Sequence, residues 1–182
     1  MRYVVVGTSG SGKTTFARKL AAVLDIPCME LDSFHWGPNW TPRPLDEFVQ
    51  AVEQAASDRA WVMDGNYSAV RPIVWSRATH VIWLNFDRTT VFGRILRRSL
   101  WRTVSREKLW SGNRESFRRT FFSRDSILVW SMATFSKNRA RYGALREDPD
   151  CAHLAWHEVR TPSNADVLLH RLGSAPAQGP AT

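Results

Sequence analysis

The sequence predicts an α/β domain in which a parallel sheet is covered by helices on both faces. Three observations predict it. Short apolar runs of strand length alternate with longer segments of helical periodicity along all 182 residues. A glycine-rich loop, Gly7-Thr8-Ser9-Gly10-Ser11-Gly12-Lys13-Thr14-Thr15, joins the first such strand to the first such helix. Asp32, Asp64 and Asp87 stand with that loop at the ends of predicted strands. In a parallel sheet those ends share one edge, the edge where ligands bind. The length suits one domain with a full hydrophobic core.

Arg2-Tyr3-Val4-Val5-Val6 opens the chain as a β-branched run of the kind buried in parallel sheets. The loop after it fits G-x-x-x-x-G-K-[ST], with Gly7, Gly12, Lys13 and Thr14 at the fixed positions. Glycines let the backbone turn tightly and come close to a ligand. The N–H groups from Ser9 through Gly10, Ser11 and Gly12 to Thr15 then point into one concavity, and the helix N-terminus adds partial positive charge. Such a concavity suits the polyphosphate of ATP. Lys13 would reach the β- and γ-phosphates, and the Thr14 hydroxyl would ligate Mg²⁺. Phe16, Ala17, Leu20, Val23 and Leu24 recur at helical spacing, which predicts a helix over 13–24.

Residues 27–31 read as a short second strand ending at Asp32. Residues 33–44 hold three large aromatics, three prolines and a glycine, and are expected to be a shaped loop and not a helix. Its aromatics either wall a substrate or pack the loop onto the core, and His35 reads as a loop or pocket residue. Leu45, Phe48, Val49, Val52 and Ala56 mark a helix over 45–57. Residues 60–63 form the third strand and deliver Asp64 at its end. Asp64 either holds Mg²⁺ through water or caps the turn at Gly65. After the turn Gly65-Asn66-Tyr67, Ser68 is expected to cap a short helix running to Trp75.

Residues 79–86 are the fourth strand, followed by Asp87 and Arg88. A basic helix over 89–100 carries Val91, Ile95, Leu96 and Leu100 on its apolar side. A polar stretch around 105–114 leads into a helix over 115–141, with Phe117, Phe121, Ile127, Leu128, Trp130 and Phe135 inward. Residues 152–159 supply the last strand. Ser163 begins the last helix with Asp166 as its capping-box partner, and a tail rich in Ala, Gly and Pro frays from Gly173 or Ser174 to Thr182.

The net charge is +8, and its distribution says more than its size. Residues 88–146 hold fifteen bases and three acids, a net +12, which leaves −4 for everything else. That segment either meets an anion or is a solvated basic face. Cys28 and Cys151, the only cysteines, suggest small core residues in a reducing compartment. No signal peptide and no apolar run of membrane length is visible, so a cytoplasmic location is expected, as a monomer or homodimer.

With these pieces the sequence resembles the small P-loop kinases related to adenylate kinase, and within them the topology-modulation or adenylate-kinase-like proteins. The resemblance is carried by Gly7 to Thr15, by Leu31-Asp32-Ser33-Phe34-His35-Trp36 with Pro38-Asn39-Trp40, by Met63-Asp64-Gly65-Asn66-Tyr67, and by Gly112-Asn113-Arg114-Glu115. It covers the chain to about Leu172. It implies a three-layer P-loop NTPase fold over 1–173, with five parallel strands in the order 2-3-1-4-5 and a basic helical lid near 94–119. Arg94, Arg98 and Arg114 match the lid arginines that would close on ATP and contact the transferring phosphoryl. Asp32-Ser33-Phe34 resembles the strand-2 aspartate of kinases that phosphorylate hydroxyls, where the carboxylate takes the hydroxyl proton. The Phe-Pro-Arg that follows Asp-Gly in nucleotide monophosphate kinases is replaced here by Asn66-Tyr67-Ser68, leaving Arg43 and Arg71 as substitutes for its arginine.

Two functions fit. One is an ATP- and Mg²⁺-dependent kinase for a small-molecule acceptor, such as a nucleoside, a nucleotide or a related compound. In it Lys13 and the lid arginines stabilise the transition state and Asp32 orients the acceptor. The other is a nucleic-acid-binding protein that uses ATP as a switch, with Trp101, Trp110, Phe117, Phe121 and Phe122 interleaved among the bases of the +12 segment. No reader motif such as a helix-turn-helix accompanies that reading.

Overall fold

The computed structural model describes the backbone of residues 1–105 and 127–174, and the side chains of 1–97 and 134–174. The chain runs β1 (Arg2–Gly7), α1 (Lys13–Leu24), β2 (Cys28–Glu30), α2 (Leu31–His35), α3 (Leu45–Ala56), β3 (Trp61–Asp64), α4 (Arg71–Arg77), β4 (His80–Leu84), α5 (Arg88–Ser105), α6 (Ile127–Arg146), β5 (Ala155–Val159) and α7 (Pro162–Ser174). The five strands form one sheet in the order β2-β3-β1-β4-β5, and every pairing is parallel.

Strand alternation builds the three layers. Tyr3 and Val5 face the side covered by Phe16 and Leu20 of α1 and Leu168 of α7. Val4 and Val6 face the other side, against Phe48 and Val52 of α3 and Val74 and Trp75 of α4. All four of these β1 side chains are almost completely buried, and burying a side chain of that size stabilises by roughly 1.5–3 kcal/mol. That is why the apolar run of β1 becomes the central strand. Helix α6 contributes Phe135 to the first cluster and Tyr142 to the second, so it links the two layers. Among the described residues no helix is long and apolar enough to cross a membrane.

Several elements differ from their sequence expectation for local reasons. The second strand stops at Glu30, and Asp32 lies in the first turn of α2 instead of on a strand end. The turn winds because Leu31 is buried against the core while Ser33 Oγ donates to the Glu30 carbonyl at 2.7 Å. The stretch after it is not helix-free either: Pro38–Trp40 forms a 3-10 turn, closed by Thr41 N–H donating to the Pro38 carbonyl at 3.1 Å. Helix α4 starts at Arg71, not at Ser68, because Pro72 is suited to a first helical turn. The fifth strand begins at Ala155, after a 3-10 turn over Pro149–Cys151.

Helix α7 begins at Pro162, and Thr161 Oγ1 accepts from Asn164 N–H at 3.2 Å, so Thr161 takes the capping role assigned to Ser163 and Asp166. The helix also includes Gly173 and Ser174, where fraying was expected. Gly173 lies so close to α1 that a Cβ there would stand 2.2 Å from Val23 Cγ1. Residues 106–126 and 175–182 lie outside the described residues, and with them much of the expected lid, the tail, the polar stretch and Phe117 and Phe121.

Candidate active site

The carboxyl edge of the sheet carries the site. Register places Val5 of β1 and Glu30 of β2 beside Asp64 of β3, so the glycine-rich loop leaves the sheet one strand away from that carboxylate. The loop is held by its own backbone: Ser11 N–H donates to the Thr8 carbonyl at 3.1 Å, and Phe16 N–H to the Gly12 carbonyl at 3.0 Å. Gly10 and Gly12 sit in the left-handed region, at φ 83° and 90°. A Cβ on Gly10 would stand 2.1 Å from Ile95 Cγ1, so α5 presses directly on the loop. Lys13 Nζ donates to the Thr8 carbonyl at 3.2 Å and so lies folded over the concavity. Ser11 is fully buried, Ser9 and Thr14 are partly exposed, and Thr15 is exposed on the helix surface.

Thr14 Oγ1 donates to Asp64 Oδ2. Asp64 is only 6% exposed, and its other oxygen, Oδ1, makes no hydrogen bond. Burial pushes its carboxyl up, while Lys13 and the Thr14 hydroxyl draw it down. A hydroxyl and a carboxylate in contact, with a buried carboxylate oxygen unsatisfied, form a donor set that fits Mg²⁺. That ion binds through one or two carboxylates plus substrate phosphates. Among the described residues no group of three or more His, Cys, Asp or Glu could hold a metal unaided.

Asp32 reaches the same site from α2. Tyr67, from the loop after β3, donates its hydroxyl to Asp32 Oδ1 at 2.5 Å, and the Trp36 side chain hydrogen-bonds the Tyr67 hydroxyl. Burial first, and then the Asp32 charge, push the Tyr67 phenol above its ordinary value, so it stays a donor. Asp32 in turn acts on Asp64 electrostatically. His35 packs edge-on against Trp36 and Phe48 and tilted against Tyr67, with ring centroids 4.6, 5.1 and 4.6 Å away. It belongs to α2 and not to a loop, and the aromatic stretch packs onto the core at this end.

Arg94, on α5, donates from Nη1 to the Ser11 carbonyl at 2.7 Å, and its guanidinium lies 4.6 Å from the centre of the Phe86 ring. Burial holds its pKa below the usual guanidinium value. The Arg98 side chain and Arg114 lie outside the described residues. Asp87 is not on the site: its carboxylate accepts from Thr90 N–H and Thr89 Oγ1, both at 2.7 Å, and caps α5. Cys28 and Cys151 are both free thiols, and burial pushes Cys28 up to about 11, which leaves it unreactive. Tyr67 was read only as a turn residue. Its one signal was its place directly after Asp64-Gly65-Asn66, the segment that leaves the carboxyl edge.

No protein-family model matches this chain, and no curated protein matches it. Solved structures do. A sugar kinase from Janibacter sp. HTCC2649, in its unliganded form, aligns over 97% of this chain and 96% of its own, at 19% identity and TM-score 0.51. A shikimate kinase from Bacteroides thetaiotaomicron aligns over 94% and 95%, at 15% identity and TM-score 0.51. A gluconokinase from Sinorhizobium meliloti 1021 aligns over 94% and 93%, at 18% identity and TM-score 0.49. The fold is that of the P-loop kinases.

Proposed function

We propose that this chain is a P-loop kinase that transfers a phosphoryl group from ATP to a hydroxyl of a small-molecule acceptor, within the topology-modulation or adenylate-kinase-like subgroup. The observation that carries the reading is the pairing of two carboxylates with different surroundings. Asp64 is bound to the Thr14 hydroxyl beside Lys13, and Asp32 is held by Tyr67 a short distance away. One suits a metal-bound phosphate and the other an acceptor.

In this mechanism the loop amides from Ser9 to Thr15 hold the β- and γ-phosphates, and Lys13 swings from the Thr8 carbonyl to meet them. Mg²⁺, when bound at Thr14 and Asp64, would neutralise charge on those phosphates. Asp32 orients the acceptor hydroxyl, whose oxygen forms a new bond to the γ-phosphorus as the bond to the ADP oxygen breaks. The hydroxyl proton passes to Asp32 and the leaving group is ADP. Arg94 stays beside Ser11 at the loop, where its charge favours the developing negative charge. The engagement of Arg94 with the Ser11 carbonyl supports this reading over a nucleic-acid surface, because this base is partly buried and held at the loop. The test is ATP consumption across a panel of acceptors, for the native chain and for Asp32→Asn. An acceptor turned over equally by both would sink the assignment of Asp32.

A further inference from the structure

Toward the amino ends of the strands, away from the site, lies a stack of rings that the proposed chemistry does not use. His80 opens β4, and register sets it beside Tyr3 of β1, while His157 of β5 stands beside Ile82. Tyr3 and Ile82 face α1 and α7, so the two imidazoles face them as well. Tyr3 stacks on His80 with ring centroids 4.5 Å apart, and His80 stacks on His157 at 5.6 Å and an interplanar angle of 9°. His80 Nδ1 lies 2.8 Å from Thr79 Oγ1, and His157 Nδ1 lies 3.4 Å from Arg171 Nη2, near the end of α7.

This arrangement is built for neutral rings. A guanidinium can only donate, so His157 Nδ1 accepts and the ring's one proton sits on Nε2. That Nε2 is buried and makes no hydrogen bond. A second proton on His157 goes to Nδ1 and points a cationic N–H at Arg171. The charged groups that face the pair are all cations: the N-terminal ammonium ahead of β1 acts on His80, and His80 and Arg171 of α7 act on His157. Among the described residues no carboxylate and no group of α1 acts on either ring, and burial pushes the Tyr3 phenol up, so Tyr3 adds no charge. Burial first, and then these cations, hold both histidines below their ordinary value.

Arg171 sits among the residues that seat α7. Leu168 and Leu169 are buried in the same cluster, Leu172 packs against it, and Gly173 lies against Val23 of α1. Helix α1 presents Lys13 and Thr14 at its other end. We propose that His80, His157 and Arg171 form an acid-release latch: proton uptake by the two stacked imidazoles repels Arg171 and frees the last turn of α7 from α1 and the sheet. The latch does not depend on the kinase reading, since it concerns the seat of α1 and not the chemistry at its N-terminus. The unfolded chain takes up these protons at the ordinary histidine value of about 6.5, and the folded chain resists them. Stability is therefore full above that value and falls as pH drops below it.

Chemical denaturation of the full chain at two pH values is the first test. The unfolding constant should rise about 5- to 50-fold between about pH 7 and about pH 5.5, each ring supplying at most about 8-fold. His157→Asn keeps an acceptor for Arg171 but takes no proton, and should lower that rise by about 2- to 8-fold. Adding His80→Asn should lower it again by a similar factor. The Asp64 carboxyl is common to all these chains and cancels in the difference.

Hydrogen exchange locates the release. At about pH 5.5, after correction for intrinsic rates, the amides of 168–174 and of the last turn of α1 should lose about 10-fold in protection relative to α3. In His157→Asn they should not. Arg171 is exposed, so Arg171→Gln serves if the histidine variants do not fold: it removes the repelled cation, and protection of those amides should change by less than about 2-fold with pH. A native chain as stable at the lower pH as at the higher overturns the proposal. So does a rise that the histidine variants leave unchanged, or exchange that increases alike in α3 and α7.

Discussion

At the phosphate end the proposed contacts come from nine consecutive residues, Gly7 to Thr15, with Asp64 and Arg94 as long-range additions. At the proposed acceptor end Asp32 and Trp36 come from one segment and Tyr67 from another, and the two segments meet there through side chains. The first is a backbone device: its donors are amides, and its shape depends on glycines that α5 packs against. The second is a side-chain device, in which one carboxylate is fixed by a tyrosine that is itself fixed by a tryptophan. Substitutions at the phosphate end should therefore affect either charge or backbone shape, whereas at the acceptor end they should affect orientation.

Lys13→Ala carries the largest expected effect. It removes the cation that meets the phosphates, and turnover should fall about 1,000-fold. Because Lys13 is partly exposed, the melting transition should move by less than about 1 kcal/mol in stability. Undiminished turnover by a pure preparation would remove the phosphate end from the argument.

Asp32→Asn comes next. It keeps size and much of the hydrogen bonding but cannot take a proton, so single-turnover transfer should drop by about 100-fold or more with ATP affinity unchanged. If transfer stays near normal, Asp32 is only a helix-turn residue and the contrast between the two ends disappears.

Gly10→Ala tests the backbone device without touching a charge. The new methyl would enter the space of Ile95 at a positive φ, and chemical denaturation should show a loss of about 1–3 kcal/mol. A stability equal to the native chain's would mean that α5 does not press on the loop.

Tyr67→Phe tests the side-chain device. The ring and its tilted contact with His35 remain while the bond to Asp32 is lost. Turnover should fall about 10-fold with the KM for ATP constant. A change in ATP affinity instead would place Tyr67 at the nucleotide.

The smallest effect is a gain. Burial raises the Asp64 carboxyl, so the native state binds more protons than the unfolded state just above the ordinary carboxylate range, and stability falls as pH rises through that window. Asp64→Asn removes this penalty. It should melt higher than the native chain at neutral pH, by about 2–4 °C for each kcal/mol relieved, and the difference should vanish below about pH 4. Equal melting at both pH values would show that Lys13 and Thr14 already offset the burial.

From residue types and spacing alone came the alternation of strands and helices, the bounds of α1, the position of Asp64 and the turn of Gly7 to Thr15 between strand and helix. Each is a local matter: φ freedom at glycine, apolar spacing at 3.6 or 2, and a donor array within one loop. The strand order came by resemblance to a family, and the sheet has that order. The helical turn at Leu31–His35, the shift of the α7 cap to Thr161 and the diversion of Asp87 to a cap were not legible. Short polar residues can cap, turn or serve a site, and the choice among these depends on which backbone N–H the fold brings near.

Tertiary structure alone brought Tyr67 to Asp32, 35 residues away, and set Arg94 against Ser11, 83 residues away. Such contacts are selected by burial and charge across the packed layers, and no spacing along the chain encodes them. The glycine-rich loop could be read because its geometry is set by backbone atoms in sequence order. The contact of Tyr67 with Asp32 could not, because the two become neighbours only when the loop after β3 and α2 meet at the same edge of the sheet.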